Sequence, residues 1–333
     1  MDFLITFAGP KPHMDIMIGL FLATFLTFVQ YNCENLFDCV DDSLKQDEEF
    51  LPTSPRRWTN TRYWQKVRNV ARCIASCGDG DMRAPDLITL CEVENDSVVD
   101  DLVNHSQLRE MRYGYIVTNS PDPRGIDVAL IYSKFVFRPI NSYPLRVDFK
   151  DTDHQLRHVL YVSGETISGD TLHILVVHAP SRYGGTKTSS PRREAMANRV
   201  IQAIDSIRNI SPEANIIVSG DFNDGAEDTS LKMLEDRGLS NIGRNAVGKA
   251  NGTPQTKVKG SYRYQGVWGS IDHILISNPI IRHVSDCYIN AQKWLLEKDK
   301  KYGGVKPRRT FNGYKFRKDG YSDHLPVVLR LEY

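Results

Sequence analysis

Short apolar runs that end in a carboxylate, a carboxamide or a histidine recur along this chain, and they constrain its fold more than any other feature. The clearest is the run 215–219, Asn-Ile-Ile-Val-Ser, which leads into Asp221 and Asn223. We interpret it as a buried strand, and the two polar residues share one side of an extended backbone. Ligands of open α/β sheets bind at such carboxyl ends of strands. A turn stabilised by the Asp and Asn side chains is the alternative for this segment taken alone.

Five other segments repeat this pattern of apolar and polar residues. They are 31–38, 87–92, 175–181, 270–275 and 321–327. Because they spread over most of the 333 residues, one site built from them needs both ends of the chain. We therefore predict one large domain, residues 28–333, rather than two.

In this order, the six segments resemble the motifs of the endonuclease/exonuclease/phosphatase superfamily, the DNase I-like metal-dependent phosphoesterases. The resemblance implies an α/β (α+β) fold, a four-layer α/β/β/α sandwich. Two mixed sheets would pack face to face, with helices outside. The predicted elements agree with it, since strands outnumber helices and the two interleave. We predict strands at 27–31, 87–91, 113–118, 127–132, 136–140, 158–163, 171–177, 215–219, 271–277, 280–289 and 327–331, and helices at 61–76, 97–108, from Pro191 onward, and at 229–236.

The composition argues against a protein of strong overall charge, a zinc site and a disulfide framework. With 41% hydrophobic and 25% charged residues, it is ordinary for a soluble globular domain. The net charge of +1 creates no global field that attracts nucleic acid, so any basic footprint is local. The six cysteines form no Cys-x-x-Cys pair, and we expect neither zinc nor a disulfide framework.

Residues 1–27 contain the apolar stretch 16–26, which is short for a transmembrane helix. It suits the core of a signal peptide or a membrane anchor, and we therefore favour export, periplasmic or secreted, over a cytoplasmic location. A start codon placed too early is the alternative. Lys11 is the only lysine or arginine ahead of the stretch, and no Ala-x-Ala site follows it.

Glu92 is the best candidate for a metal ligand. It follows a run of buried strand residues, where a carboxylate needs a compensating partner. A salt bridge with an arginine is the alternative. The resemblance implies that Asn32 and Glu34 flank the same metal or orient its waters, and that Asp323 completes its ligands. Scattered single carboxylates suit Mg²⁺, with Mn²⁺ as a substitute, better than Ca²⁺.

Asp272 and His324 resemble the acid–histidine pair of the family. In such a pair the carboxylate sets the tautomer of the imidazole and raises its pKa. The imidazolium then stabilises charge or donates a proton at the phosphate. His273, next to Asp272, points to the opposite face of the strand and is excluded.

His178 corresponds to the second histidine of the DNase-like members, and Asp127 is our candidate for its partner. The resemblance further implies that Asp221 polarises the attacking water. Asn223 would hold a phosphoryl oxygen or that water.

Residues 300–318 form a basic segment directly ahead of Asp323 and His324. They hold eight lysines and arginines, four aromatic residues and no acidic residue. We predict that Arg308 and Arg309 bind substrate phosphate while the aromatic rings stack on bases. Arg124 is a further candidate for phosphate binding. A solvated loop is the alternative for the segment.

We predict a metal-dependent phosphoester hydrolase, a nuclease or phosphodiesterase that acts as a monomer on nucleic acid. An inositol phosphate or a phospholipid at the same site is the alternative substrate. A non-catalytic binding protein on this scaffold is the second alternative, but binding alone would not need Asp221, Asp272 and His324 together.

Overall fold

The computed structural model describes residues 25–78, 83–149 and 156–333. The helices are α1 (Asn60–Ala75), α2 (Asp96–Asn104), α3 (Thr186–Ile210), α4 (Thr229–Asp236) and α5 (Asn278–Ile281). The strands are β1 (Phe25–Leu36), β2 (Leu87–Val93), β3 (Gly114–Val117), β4 (Asp127–Tyr132), β5 (Phe137–Leu145), β6 (Val159–Thr166), β7 (Thr171–His178), β8 (Asn215–Asp221), β9 (Leu239–Asn241), β10 (Gly248–Ala250), β11 (Thr253–Gln255), β12 (Tyr262–Tyr264), β13 (Val267–Gly269), β14 (Asp272–Ser277), β15 (Val284–Asn290), β16 (Leu296–Lys298), β17 (Val305–Pro307), β18 (Phe311–Asn312), β19 (Lys315–Phe316) and β20 (Val327–Glu332). Single 3₁₀ turns lie at Glu48–Phe50, Gln107–Met111, Ile242–Asn245 and Lys293–Leu295.

Two mixed sheets form the framework of the protein. The first has eight strands in the order β11-β10-β15-β20-β1-β2-β4-β3, and the second has six in the order β5-β6-β7-β8-β14-β9. In the first, β1 runs parallel to β2 and antiparallel to β20. In the second, β7 runs parallel to β8, and β14 is antiparallel to β8. Three two-stranded ribbons, β12-β13, β16-β17 and β18-β19, lie outside the two sheets.

Apolar side chains of the two sheets share one core. Phe28 of the first sheet and Ile174, Ile217 and Ile274 of the second are all fully buried in it. The same cluster includes residues of α1 and α2. A second cluster joins the other face of the six-stranded sheet to α3 and α4, through Leu175, Val218, Val200, Ile204, Leu231 and Leu234. The predicted four-layer sandwich with helices outside is confirmed.

Several predicted boundaries were wrong, and three of the differences have an identifiable local reason. Helix α2 begins earlier than predicted because the Asn95 side chain, not Ser97, caps it by accepting a bond from Val98 N at 3.0 Å. Helix α3 begins at Thr186, with Pro191 inside it. Proline donates no backbone hydrogen bond, and side-chain bonds reinforce the turn before it, including Ser189 Oγ to Gly185 O at 2.9 Å.

The third difference concerns 280–289, which we predicted to be one strand. It opens as the short helix α5, with a proline in its first turn, and becomes β15 only at Val284. The short strands β9–β13 and β16–β19 were not predicted, since two or three residues are too few to show an alternation.

The N-terminal prediction lies mostly outside the described residues. Residues 1–24 of the proposed signal or anchor segment are not described, and residues 25–27 belong to β1. Among the described residues, no helix combines the length and the apolar character needed to cross a membrane.

Candidate active site

The strand directions bring the predicted polar residues to one edge of the sandwich. Since β1 and β2 are parallel, their carboxyl ends meet, and the antiparallel β20 begins beside them. In the second sheet, β7 and β8 end together and β14 begins there. His178 is paired with Asp221, and Asp221 with Asp272. Residues from position 32 to position 324 therefore converge.

Alternation along each strand decides which of these side chains face inward. Every second residue of β8 points between the sheets, from Ile217 through Ser219 to Asp221. On β7, His178 lies four residues after the buried Ile174 and points to the same side. On β14, Asp272 shares a face with Ile274. These three polar side chains thus continue the inner, apolar face of the second sheet at its edge.

Glu92 reaches the same space through a break in the alternation. The register between β1 and β2 shifts between Asn32 and Leu36, and that between β2 and β4 shifts between Cys91 and Val93. Cys91 already faces the second sheet, with its thiol 3.4 Å from Val177 O. The bulge, together with a left-handed backbone at Glu92 (φ 63°), turns the next side chain to the same side.

Asn32 links the carboxylates of the two sheets. Its Nδ2 donates to Asp221 Oδ2 at 2.9 Å and to Glu92 Oε1 at 3.2 Å. His178 Nε2 lies 3.8 Å from Glu92 Oε1 and 3.9 Å from Asp221 Oδ2. A small polar pocket bounded by two carboxylates, an amide and an imidazole results.

Asp272 and His324 form the predicted acid–histidine contact. Asp272 Oδ2 lies 2.8 Å from His324 Nδ1 and accepts a second bond from Ser261 Oγ at 2.6 Å. His324 Nε2 is 3.9 Å from Asp221 Oδ2. Burial opposes the protonation of His324, but Asp272, by charge and hydrogen bond, and Asp221 outweigh it and hold its pKa well above the usual value.

Asp221 and His178 are shifted toward their neutral forms. Burial raises the pKa of Asp221 to about 7; the Asp272 carboxylate adds to this, while the charge of His324 lowers it. Burial, with the nearby cations Arg157 and Arg124, lowers the pKa of His178 well below its usual value. Near neutral pH, the site therefore holds one neutral imidazole and one imidazolium.

Backbone strain is concentrated at these strand ends. Of the described non-glycine residues, eight have a positive φ, and four of them are Glu34, Asn35, Glu92 and Asn223. Such conformations cost about 1–3 kcal/mol each and persist where surrounding contacts enforce them. The strain marks the edge as a site shaped for more than packing.

The donor atoms fit a hard divalent cation. Ligand atoms of Glu92, His178 and Asp221 lie within 4.8 Å of one another. The atoms of Asp221, Asp272 and His324 are as close, but the charged imidazole of His324 has no lone pair for a metal. Within the described part of the chain, His178 Nδ1 and Asp272 Oδ1 are buried without a hydrogen-bond partner. Crowded carboxylate oxygens with few other protein ligands are what Mg²⁺ and Mn²⁺ accept.

Glu34 and Asp323, two predicted metal ligands, are bound to Arg309. Its Nε lies 3.1 Å from Glu34 Oε1, and its Nη2 lies 3.1 Å from Asp323 Oδ2. The second oxygen of Glu34 accepts from Thr310 N at 2.6 Å. Arg309 therefore lies at the border of the site as a counter-charge to two carboxylates.

The remaining predicted basic residues are placed differently. Arg308 pairs with Asp319 at 2.8 Å and donates to Leu296 O, and neither contact belongs to the cluster. Acidic residues from outside 300–318 also pair with Lys306 and Arg317, so part of the charge of this segment is neutralised. Arg124 is exposed, and its Nη2 donates to Asn35 Oδ1 at 2.8 Å, beside the strained end of β1.

Asp127 is not the partner of His178, so that part of the prediction was wrong. Its carboxylate accepts bonds from Thr118 Oγ1 and Ser120 N, which fix the neighbouring loop. Asp127, at the start of β4, therefore stabilises this loop. The carboxylates near His178 are those of Glu92 and Asp221.

Asn223 lies just beyond the end of β8, and His273 lies on β14 opposite Gly220, the residue before Asp221. Asn223 N donates to Asp221 Oδ1 at 2.9 Å, and Asn223 Nδ2 donates to Ala179 O. His273 is outside the cluster, as alternation along the strand predicts, and its Nε2 lies 2.9 Å from Asp224 O. The His273 ring thus supports the loop that follows Asp221.

Sequence reasoning missed three residues of the site. Ser261 orients Asp272, and the ring of Tyr262 lies 4.8 Å from that of His324, at 34° to it. Arg157 is nearly buried, with Nε 3.0 Å from Asp122 Oδ2, and its charge acts on His178. Ser261 directly precedes β12, a strand of three residues that Tyr262 begins, and Arg157 lies in a loop. No pattern in the sequence therefore distinguished these residues.

Comparison with solved structures places the fold among known ones. The chain is 17% identical to TDP2 of Caenorhabditis elegans, over 93% of this chain and 98% of that one, with a TM-score of 0.57. It is 15% identical to an endonuclease/exonuclease/phosphatase family protein of Bacteroides thetaiotaomicron, over 93% and 98% of the two chains, with a TM-score of 0.59. It is 16% identical to the human Nocturnin catalytic domain with bound sulfate anion, over 92% of this chain and 96% of that one, with a TM-score of 0.53.

At these identities the structural matches establish the fold alone. No curated protein matches the chain. The model of the endonuclease/exonuclease/phosphatase family matches residues 27–333, from the first strand to the end of the sequence. With this match, and with the predicted motifs gathered at one edge of the predicted sandwich, the chain belongs to the endonuclease/exonuclease/phosphatase family.

Proposed function

We propose that this protein is a divalent-cation-dependent phosphodiesterase that acts on nucleic acid, a nuclease. Its family supports phosphoester hydrolysis as the general activity. One observation carries the proposal: the Asp272–His324 pair faces Asp221, which in turn is joined through Asn32 to Glu92. On this proposal, His324 is the proton donor, Asp221 is the proton acceptor and Glu92 is a cation ligand, and their side chains line one small space.

The cation, Mg²⁺ or Mn²⁺, would be held by Glu92 with Asp221 and His178 beside it, and when bound it would neutralise charge on the phosphate oxygens. Asp221 is suited to orient and deprotonate the attacking water, because its pKa of about 7 lies near neutral pH. His324, held charged by Asp272, donates a hydrogen bond to a phosphoryl oxygen. Asn223, next to Asp221, is proposed to hold that oxygen or the water.

The surroundings of His324 support a substrate that carries bases. Tyr262 packs against its ring, and Tyr264, two residues further along β12, exposes 62% of its surface. Tyr302, whose side chain lies beside Gly266 in the turn after β12, exposes 45%. Aromatic faces of this kind stack with nucleobases. Arg124, exposed beside Asn35, is proposed to bind an adjacent phosphate.

A substrate panel tests this function. Purified protein would be incubated with plasmid DNA, single-stranded RNA, sphingomyelin vesicles and inositol phosphates, each with Mg²⁺, with Mn²⁺ and with a chelator. We expect metal-dependent cleavage of one or both nucleic acids, absent in Glu92→Gln. Hydrolysis of only the lipid or only the inositol phosphates would overturn the nuclease assignment and keep the phosphoesterase. Activity that survives the chelator would overturn the role of the cation.

A further inference from the structure

Helix α1 carries a polar stripe on the side that packs against the active-site segment 308–321. Lys66, whose side chain is fully buried, donates to Thr310 Oγ1 and, at 2.6 Å, to Tyr321 O. Asn69, one turn later, donates to Lys318 O at 3.0 Å and to Gly320 O at 2.6 Å. These two side chains hold four points of the segment from a helix that contributes nothing to the cluster itself.

The two ends of the segment are also hydrogen-bonded to each other, close to the atoms that Lys66 contacts. Tyr321 N donates to Arg308 O at 2.6 Å, and Thr310 Oγ1 donates to Tyr321 O at 3.1 Å. Both of its ends are thus tied to one buried ammonium group. Outward movement of either end would break a contact of Lys66.

The tied ends carry active-site contacts. Thr310 N donates to Glu34 Oε2, and Arg309, its neighbour, binds Glu34 and Asp323. Beyond Tyr321, the Ser322 hydroxyl donates to Asn32 O at 2.8 Å and accepts from His324 N at 3.0 Å. The placement of His324 opposite Asp221 therefore depends on the segment that Lys66 fixes.

Burial makes Lys66 an unusual choice for a purely structural contact. Removing an ammonium group from water costs several kcal/mol unless charged or polar partners offset it. Here the partners are a hydroxyl, a carbonyl and the nearby carboxylate of Glu34. An apolar residue at this position of the helix would pack without this cost. The partners of Lys66 therefore indicate that its role is to hold segment 308–321.

We propose that Lys66 and Asn69 are positioning residues for the hydrolytic reaction, which fix segment 308–321 so that Arg309, Asp323 and His324 face the Glu92–Asp221 cluster. The inference rests on the proposed function for its catalytic part. Its structural part, that α1 holds the segment in place, can be tested without any substrate.

Lys66→Met tests the proposal, since methionine keeps an unbranched chain without the charge. Arg68→Met is the matched control, because Arg68 is exposed on the same helix. We expect kcat of Lys66→Met to fall roughly 10–100-fold, the range typical of residues that orient ligands, with KM changed much less. Arg68→Met should stay within about twofold of the wild type by the same measure.

Hydrogen exchange of the full-length protein gives a readout without turnover. The amides of Thr310, Tyr321 and His324 should exchange at least about tenfold faster in Lys66→Met, while those at the centre of β1 and β8 stay protected. Calorimetric titration with Mn²⁺ should show weakened binding in the same variant. Faster exchange throughout the protein would mean that Lys66 only stabilises the fold, and unchanged exchange and kcat would overturn the proposal.

Asn69→Ala keeps the proposal testable if Lys66→Met does not fold. It removes the two bonds to Lys318 O and Gly320 O without leaving a charge unpaired. The same local exchange should increase, and kcat should fall several-fold. If the wild type cleaves no substrate of the panel, the nuclease assignment fails, whereas exchange and Mn²⁺ binding still decide whether α1 positions the segment.

Discussion

Two histidines with the same intrinsic chemistry are held in different protonation states by their neighbours. His178 is buried near Arg157 and Arg124, which lowers its pKa, whereas His324 contacts Asp272 and lies near Asp221, which raise its pKa. A neutral imidazole suits a metal ligand or a hydrogen-bond acceptor, and an imidazolium suits the stabilisation of a phosphoryl oxygen. The residue type alone therefore does not define the role.

The first prediction concerns the pair Asp272 and His324. His324→Ala should lower kcat by several orders of magnitude, since a positioned acid supplies ~10²–10⁴-fold and charge stabilisation adds to it. Asp272→Asn should lower it less, because the imidazole remains but is neither charged nor oriented by a carboxylate. Steady-state rates of both variants and the double variant measure this. If the two residues act as a unit, the double variant is little worse than His324→Ala; multiplicative losses would contradict the pairing.

The second prediction concerns the proton on Asp221. Its pKa of about 7 is raised from the usual 3.8, so without a cation the carboxyl group stays protonated below neutral pH and loses its proton above it. A cation must then displace that proton at pH 6 but not at pH 8. We expect Mn²⁺ binding to release about one proton at pH 6 and much less at pH 8. Calorimetry in buffers of different ionisation enthalpy measures the release.

Asp221→Asn is the control for proton release. The carboxamide has no proton to lose in this range, so the residual binding of Mn²⁺ at pH 6 should release correspondingly less. An undiminished release in this variant would assign the proton to another group, with His324 the nearest candidate.

At the scale of elements, the strands of the two sheets were predictable because their residues repeat a pattern. The hydrogen bonds by which Lys66 and Asn69 hold segment 308–321 were not predictable. Apolar runs predicted the strands β7, β8 and β14. Alternation further predicted that Asp272 and His273 point to opposite faces of β14. The helical period of α1 was visible in Val67, Val70 and Ile74. The period gave Lys66 no special role, because nothing local in the sequence indicates the distant carbonyl of Tyr321 that compensates its charge.

Long-range register also explains what was missed around the site. Arg309 was predicted to bind substrate because its segment has no acidic residue of its own. Its partner Glu34 lies 275 positions away in sequence, and the contact exists only once β1 and β20 are paired. The resemblance to a family supplied the roles of Asp272 and His324, which strand patterns alone would not have distinguished from a surface pair.

The third prediction concerns the close approach of β7 and β8. A Cβ at Gly220 would lie 1.8 Å from Val177 O, the backbone of its paired residue. Gly220→Ala must therefore push the strands apart beside Asp221 and His178. We expect a loss of roughly 4 kcal/mol or more in the free energy of unfolding, measured by urea denaturation, or a failure to fold.

Gly269→Ala is the matched control for the glycine change. Its added Cβ would meet nothing within 4 Å, so the free energy of unfolding should change by no more than about 0.5 kcal/mol. If Gly220→Ala were as mild as this control, the close packing of β7 against β8 would have to be wrong.

At the scale of the whole molecule, the candidate site is a joint between the two sheets. Asn32 and Glu92 belong to the first sheet, and His178 and Asp221 to the second, and Asn32 Nδ2 already bridges both carboxylates. The two carboxylates repel each other, which contributes to the raised pKa of Asp221. A cation bound between them would therefore relieve repulsion and hold the sheets together at the same time.

The last prediction follows from this joint. A ligand that binds only the folded protein stabilises it by an amount set by its concentration relative to Kd, about 2.7 kcal/mol at 100 times Kd. We expect Mg²⁺ at that excess to raise the free energy of unfolding of the wild type accordingly, measured by urea denaturation against a chelator-treated sample of equal ionic strength. Glu92→Gln, which removes one carboxylate of the joint, should gain less than about 1 kcal/mol at the same Mg²⁺ concentration, because its Kd is higher. Glu332→Gln, the same chemical change at an exposed residue of β20, should gain as much as the wild type. An equal gain in all three proteins would mean that Mg²⁺ acts elsewhere, and the assignment of Glu92 as a ligand between the sheets would then be wrong.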